Sequence, residues 1–122
     1  MKRKQAPEGT LQRLVMDWLA AKHIFSLRMN SGRLINQAGR PVTFGVPGMA
    51  DILAFPKIRQ QDITRLGSKR SIWYEVPAIV WIELKAPNGK QSELQKSFQA
   101  KVESEGHRYL LVRDLSELEA QL

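Results

Sequence analysis

The sequence predicts a small α/β sheet with helices packed on it. Three observations carry this. Apolar residues recur at helical spacing in Leu11, Leu14, Val15, Trp18 and Leu19, and again in Leu94, Phe98 and Val102. Short apolar runs of buried-strand length stand at Asp51–Phe55 and Ile79–Leu84. The elements follow in the order helix, strands, helix, strand, helix along 122 residues, a length that suits one core and is too short for two. The whole span 1–122 is therefore expected to be a single domain.

In chain order, residues 1–6 are a mobile basic tail, and Pro7 and Glu8 open the first helix. Glu8 and Gln12 are four apart, so they share a side of that helix and can reach one target together. The segment from Ile24 to Met29 reads as a strand, ended by the turn residues Asn30, Ser31 and Gly32. Arg33 to Val46 is a hairpin or loop whose extended part is Val42-Thr43-Phe44, and Gly45-Val46-Pro47-Gly48 is a second turn. The Asp51 run is ended by Pro56. A polar insertion, 57–75, then holds Arg59, Arg65, Lys69 and Arg70 around Gly67. Two readings of it are open: an excursion that touches nucleic-acid backbone, and a solvated loop.

Ala86-Pro87-Asn88-Gly89 is a strong turn signal after the Ile79 strand. A helix starts near Ser92 with Glu93 in its first turn, and Gln95 sits beside its apolar stripe. Gly106 closes it. Tyr109 to Val112 forms another strand, and Ser116 caps a last short helix from Glu117 to Leu122.

Composition narrows the chemistry. The chain has no cysteine, which excludes disulfide frameworks, thiolate zinc sites and cysteine nucleophiles. No signal peptide and no membrane-spanning run is visible, so the expectation is a soluble cytoplasmic protein with no membrane partner. Net charge is +7, and it is unevenly spread. Residues 1–76 carry 13 Lys and Arg against 5 acids, whereas residues 77–122 carry 6 against 7. A positive field concentrated in one part of a chain suits a polyanionic partner, with solubility as the alternative reading.

The charges that stand on the apolar strands are the most informative. Side chains alternate along a strand, so Trp81, Glu83 and Lys85 share one face while Val80, Ile82 and Leu84 share the other. Unpaired charges are poorly tolerated inside a sheet. If Asp51 lies alongside, two carboxylates and one ammonium converge on a small volume suited to a divalent cation and a phosphate. The alternatives are a solvent-facing Glu83–Lys85 ion pair, worth roughly 0 to 1 kcal/mol, and an Asp51 that caps its preceding turn. Glu8 also fits the general preference for acids in a first helical turn, and Gln95 a plain surface role. Trp81 packs against the first helix or walls the site. His23 and His107 carry no assigned role.

Glu8 with Gln12, Asn30-Ser31-Gly32, Gly48-Met49-Ala50-Asp51, Glu83-Leu84-Lys85-Ala86-Pro87 and the later Gln95, taken in this order, resemble the VRR-NUC branch of the PD-(D/E)XK nuclease superfamily. The resemblance runs from the Glu8 helix to the last strand. Ala50 stands where the family often has Pro before the Asp, and the 57–75 insertion is longer than usual. The resemblance implies a restriction-endonuclease-like fold, a small mixed central sheet flanked by helices. It implies a Mg²⁺- or Mn²⁺-dependent endodeoxyribonuclease with no organic cofactor. Compact stand-alone members resemble Holliday-junction resolvases, which makes branched DNA the expected partner and a homodimer the expected assembly.

Phosphodiester hydrolysis accumulates negative charge on the phosphoryl and leaving oxygens, so positive charge is required there. Asp51 and Glu83 are the expected direct ligands. The resemblance adds the backbone carbonyl of Leu84, and Glu8 as an outer ligand or the anchor of a second ion. Lys85 is expected to orient the attacking water and stabilise the transition state. Gln95 and Gln12 position ligands or substrate, and Asn30, Ser31, Arg65, Lys69 and Arg70 join Gln12 as candidate DNA contacts.

Overall fold

A computed structural model describes residues 8–29, 32–63 and 71–122. In chain order the elements are α1 (Glu8–Ala21), β1 (Phe25–Arg28), β2 (Gly32–Ile35), β3 (Pro41–Phe44), β4 (Ile52–Phe55), β5 (Lys57–Ile63), β6 (Ser71–Pro77), β7 (Val80–Leu84), α2 (Glu93–Ser104), β8 (Arg108–Val112) and α3 (Leu115–Gln121). The architecture is mixed α/β. A four-stranded sheet in the order β1-β4-β7-β8 is joined by two separate two-stranded pairs, β2-β3 and β5-β6.

The central sheet is mixed because its connections differ. β1 pairs antiparallel with β4, and β4 antiparallel with β7, whereas β7 and β8 run parallel. A parallel neighbour needs a crossover, and α2 supplies it. Each face of the sheet has its own cover. Leu11, Val15 and Leu19 of α1 and Leu118 of α3 pack on Ile52, Ala54, Val80, Ile82, Leu84, Leu110 and Val112. The opposite face is smaller, with Ala50, Val102 and Tyr109 backed by Trp81 and Phe98. Trp81 therefore packs on α2: its ring meets Phe98 edge-on, with centroids 5.0 Å apart. Among the described residues no helix is long and apolar enough to cross a membrane.

Helix ends follow local chemistry. Ser92 caps α2 in a capping box with Gln95, and Gly106, at φ +83°, ends that helix in a Schellman turn: Gly106 N–H donates to Glu103 and His107 N–H to Val102. The cap of α3 is Asp114 and not Ser116: the Asp114 side chain accepts the Glu117 N–H, and the Ser116 hydroxyl donates to the same carboxylate. Asp114 Oδ1 thus takes both donors, and Ser116 stands inside the helix that begins at Leu115. The Ser116 hydroxyl and the Glu117 backbone N–H hold the Asp114 carboxyl below its ordinary value.

The insertion is also more regular than a loop. β5 and β6 form a hairpin whose register runs from Lys57 opposite Pro77 to Ile63 opposite Ser71. Lys57, Arg59, Gln60, Gln61, Trp73 and Tyr74 are exposed on it, and the Arg59 guanidinium lies 4.7 Å from the centre of the Trp73 ring. Arg65, Lys69 and Arg70 fall between its strands and lie outside the described residues.

Candidate active site

Where β4 stops short of β7, Asp51 takes over. The first residue pair of these strands is Ile52 with Ile82, so Leu84 extends beyond the end of β4 with its N–H facing that side. Asp51 Oδ2 accepts this N–H at 2.7 Å. The Asp51 carbonyl accepts from Met29 N–H, also at 2.7 Å, which ties the residue to the end of β1 as well. N–H and C=O of one strand residue point to the same side, so the Leu84 carbonyl is turned toward Asp51 too.

Gly48 sets this loop against α2. It has φ +80°, and a Cβ there would run into the Leu94 carbonyl and come within 2.8 Å of the Gln95 backbone nitrogen. The loop bearing Asp51 and the first turn bearing Gln95 are thus in backbone contact. Gly48→Ala should lower stability by more than about 1 kcal/mol, seen as a reduced urea midpoint. An unchanged midpoint would show that this contact does not hold the loop.

Glu83 is 2% exposed and is the buried charged residue of the sheet. Its alternation with Ile82 and Leu84 turns it toward α2, where Gln95 Nε2 donates to Oε1 at 3.0 Å. The Gln95 side-chain oxygen is meanwhile engaged by Ser92 N–H at 2.8 Å, so one amide serves both the helix cap and the carboxylate. Tyr109 O–H donates to Glu83 Oε2 at 2.6 Å, a charge-assisted length. Burial pushes the Tyr109 hydroxyl well above its ordinary pKa; the hydrogen bond to Glu83 and the charges of Glu83 and Asp51 add to this. Lys85 Nζ stands 3.8 Å from Glu83 Oε1, with its side chain 17% exposed.

Asp51, Glu83, Lys85 and Gln95 therefore meet at one end of β7. Comparison of the chain with protein-family models, with curated proteins and with solved structures finds no match. The geometry stands on its own chemistry.

That chemistry is a set of hard oxygen donors: two carboxylates and the Leu84 carbonyl. Among the described residues no three His, Cys, Asp or Glu side chains gather as a metal cluster. Mg²⁺ does not require one, because it is usually held by one or two carboxylates with water and substrate oxygens completing six positions. The residues present fit Mg²⁺ or Mn²⁺. They do not fit a soft or imidazole-bound metal.

Glu8 opens α1 with its side chain outside the described residues, and Asn30 and Ser31 also lie outside them, directly after Met29. Gln12 lines a groove with Arg13, Asp17 and Arg28 whose lining includes neither Asp51 nor Glu83. His23 and His107 are exposed. Two large clefts, one around Trp18, Phe25 and Leu122 and one around Ile58, Val76 and His107, include neither carboxylate.

Tyr109 and Gln91 belong to the site and are absent from the sequence-based candidates. A signal existed for the first of them. A tyrosine in a buried strand needs a partner for its hydroxyl, and a buried glutamate needs donors. What the sequence lacked was the register that pairs them.

Proposed function

We propose that this chain is a metal-dependent nuclease of the PD-(D/E)XK type that hydrolyses DNA phosphodiesters by direct attack of water. One observation carries the reading: the Asp51 carboxylate is bonded to Leu84 N–H beside a buried Glu83 that has Lys85 Nζ at 3.8 Å. A structural ion pair would sit in solvent and would not require a second carboxylate from another strand.

Asp51, Glu83 and the Leu84 carbonyl would hold the cation. Bound Mg²⁺ or Mn²⁺ supplies positive charge against the charge that builds on the phosphoryl and leaving oxygens. Lys85 would orient the attacking water and add its own positive charge against the same build-up. Gln95 keeps the Glu83 carboxylate in place from α2 and does not transfer protons, since an amide is not a useful base.

DNA is the substrate best matched to the basic excess in residues 1–76. The leading substrate is a four-way junction, cut by a homodimer, because two symmetric strands call for two related active sites. Cleavage of junctions, flaps and plain duplex by the purified protein with Mg²⁺ or Mn²⁺ tests both levels. Preference for junctions supports the full reading; equal cutting of all three removes the junction specificity; binding without cutting makes the chain a DNA-binding module.

The β5-β6 hairpin is the proposed DNA-holding arm. A two-stranded ribbon fits the major groove, and this one exposes Lys57, Arg59, Trp73 and Tyr74. Joint replacement of Arg65, Lys69 and Arg70 by Ala should weaken DNA binding and flatten its salt dependence, by about 0.9 in log–log slope per lost phosphate contact. Fluorescence anisotropy across a salt series measures it. An unchanged slope would make the arm a bystander.

A further inference from the structure

We infer that Tyr109 is the positioning residue for Glu83: its hydroxyl fixes the carboxylate from the β8 side and thereby sets the affinity of the site for a divalent cation. The inference rests on the nuclease reading above and concerns how that site is held.

The argument begins with register. Tyr109 lies opposite Trp81 in the parallel β7-β8 pair, and the residue opposite Glu83 is Leu111. Tyr109 therefore shares the Glu83 face one pair back, and the length of its ring carries the hydroxyl forward to Oε2. A phenylalanine would fill the same apolar space against Phe98 and leave this oxygen without the 2.6 Å bond.

The direction of that bond is also enforced. A tyrosine hydroxyl has one proton to donate. Its acceptor side is filled by Gln91 Nε2 at 3.2 Å, so the proton is left for Glu83. Gln91 is held in turn, because its Nε2 also donates to Gln99 Oε1 at 3.0 Å, and Gln99 Nε2 donates to Glu103 Oε1 at 2.6 Å. The chain of bonds runs from the surface of α2 to the carboxylate. Each amide in it has its oxygen and nitrogen assigned by its neighbour.

Glu83 is consequently gripped from two elements, Oε2 by Tyr109 on β8 and Oε1 by Gln95 on α2. Lys85 Nζ, 3.8 Å from Oε1, lies beyond hydrogen-bond distance and acts on the carboxylate as a nearby positive charge. Outer groups that orient a ligand in this way typically account for about 10- to 100-fold in metal affinity or activity.

The test is Mn²⁺ titration of the full chain by calorimetry, for wild type, Glu83→Gln, Tyr109→Phe and Gln91→Leu, with circular dichroism and thermal unfolding in chelator as fold controls. Tyr109→Phe should keep its fold and bind Mn²⁺ about 10- to 100-fold more weakly. Its cleavage rate should recover at saturating Mn²⁺, because the ligands themselves are intact. Gln91→Leu, which leaves the tyrosine ring in place, should weaken Mn²⁺ binding by a smaller factor and covers the case in which Tyr109→Phe does not fold. If wild type takes up Mn²⁺, Glu83→Gln does not, and both other variants bind as wild type, Tyr109 has no positioning role while the nuclease reading stands. If wild type takes up no Mn²⁺, both fall together.

Discussion

Glu83→Gln should leave the chain folded and able to bind DNA while reducing metal-dependent cleavage by at least about 10²- to 10³-fold, the loss that follows removal of one pre-organised charge-stabilising group. The substitution is isosteric, so the packing around this 2%-exposed side chain is kept. Its hydrogen bonds are only partly kept. The new amide oxygen can still accept from Tyr109, but the amide nitrogen then faces Gln95 Nε2 and Lys85 Nζ, which are donors themselves. Removing a buried charge offsets that conflict, since a buried carboxylate carries a desolvation cost that apolar surroundings do not repay. Thermal unfolding should therefore change little in either direction, and the effect should appear in cleavage and in Mn²⁺ uptake. A variant that retained near-wild-type turnover would remove Glu83 from the chemistry and take the nuclease reading with it.

Side-chain alternation explains how much of this site could be read from the sequence. Trp81, Glu83 and Lys85 had to share a face once Ile79 to Leu84 was a strand, and the structure puts Trp81 and Glu83 on the α2 side with Val80, Ile82 and Leu84 in the opposite core. α1, β4, β7, α2 and β8 were similarly legible, because each has an unbroken period or a turn signal at its ends. Which layer covers the Glu83 face was not legible. It depends on packing between α2 and β7, which the Trp81–Phe98 contact and the Gln95–Glu83 bond establish. The same limit hid the Tyr109–Glu83 bond, which depends on strand register between segments far apart in sequence. The β5-β6 hairpin was missed for another reason. Its strands are polar on much of their surface, with Arg59, Gln60, Gln61, Trp73 and Tyr74 all exposed, so the alternation that marks a half-buried strand is weak. For Ser116 and Asp114 both residues are good caps two positions apart, and composition does not choose between them.

Asp51 separates structure from chemistry more sharply than Glu83, because on the proposed nuclease reading its carboxylate takes part in both. Its Oδ2 is the acceptor for Leu84 N–H, and Leu84 is 1% exposed, so water is a poor substitute. Asp51→Ala leaves that N–H without its acceptor and should cost about 1–3 kcal/mol, read as a lower urea midpoint. Asp51→Asn keeps an oxygen in the same position and should retain most of that stability. In cleavage the two variants should converge: each removes a negative charge and a hard anionic ligand, and each should lose activity by about 10²- to 10³-fold. Mn²⁺ calorimetry should show both binding far more weakly than wild type. The combination of unequal stability and equal inactivity is the signature of a side chain that closes the end of β4 and also holds the cation. If Asp51→Asn instead kept wild-type Mn²⁺ affinity and cleavage, the carboxylate charge would be dispensable, and Asp51 would be only the polar clasp that finishes the sheet beside Leu84.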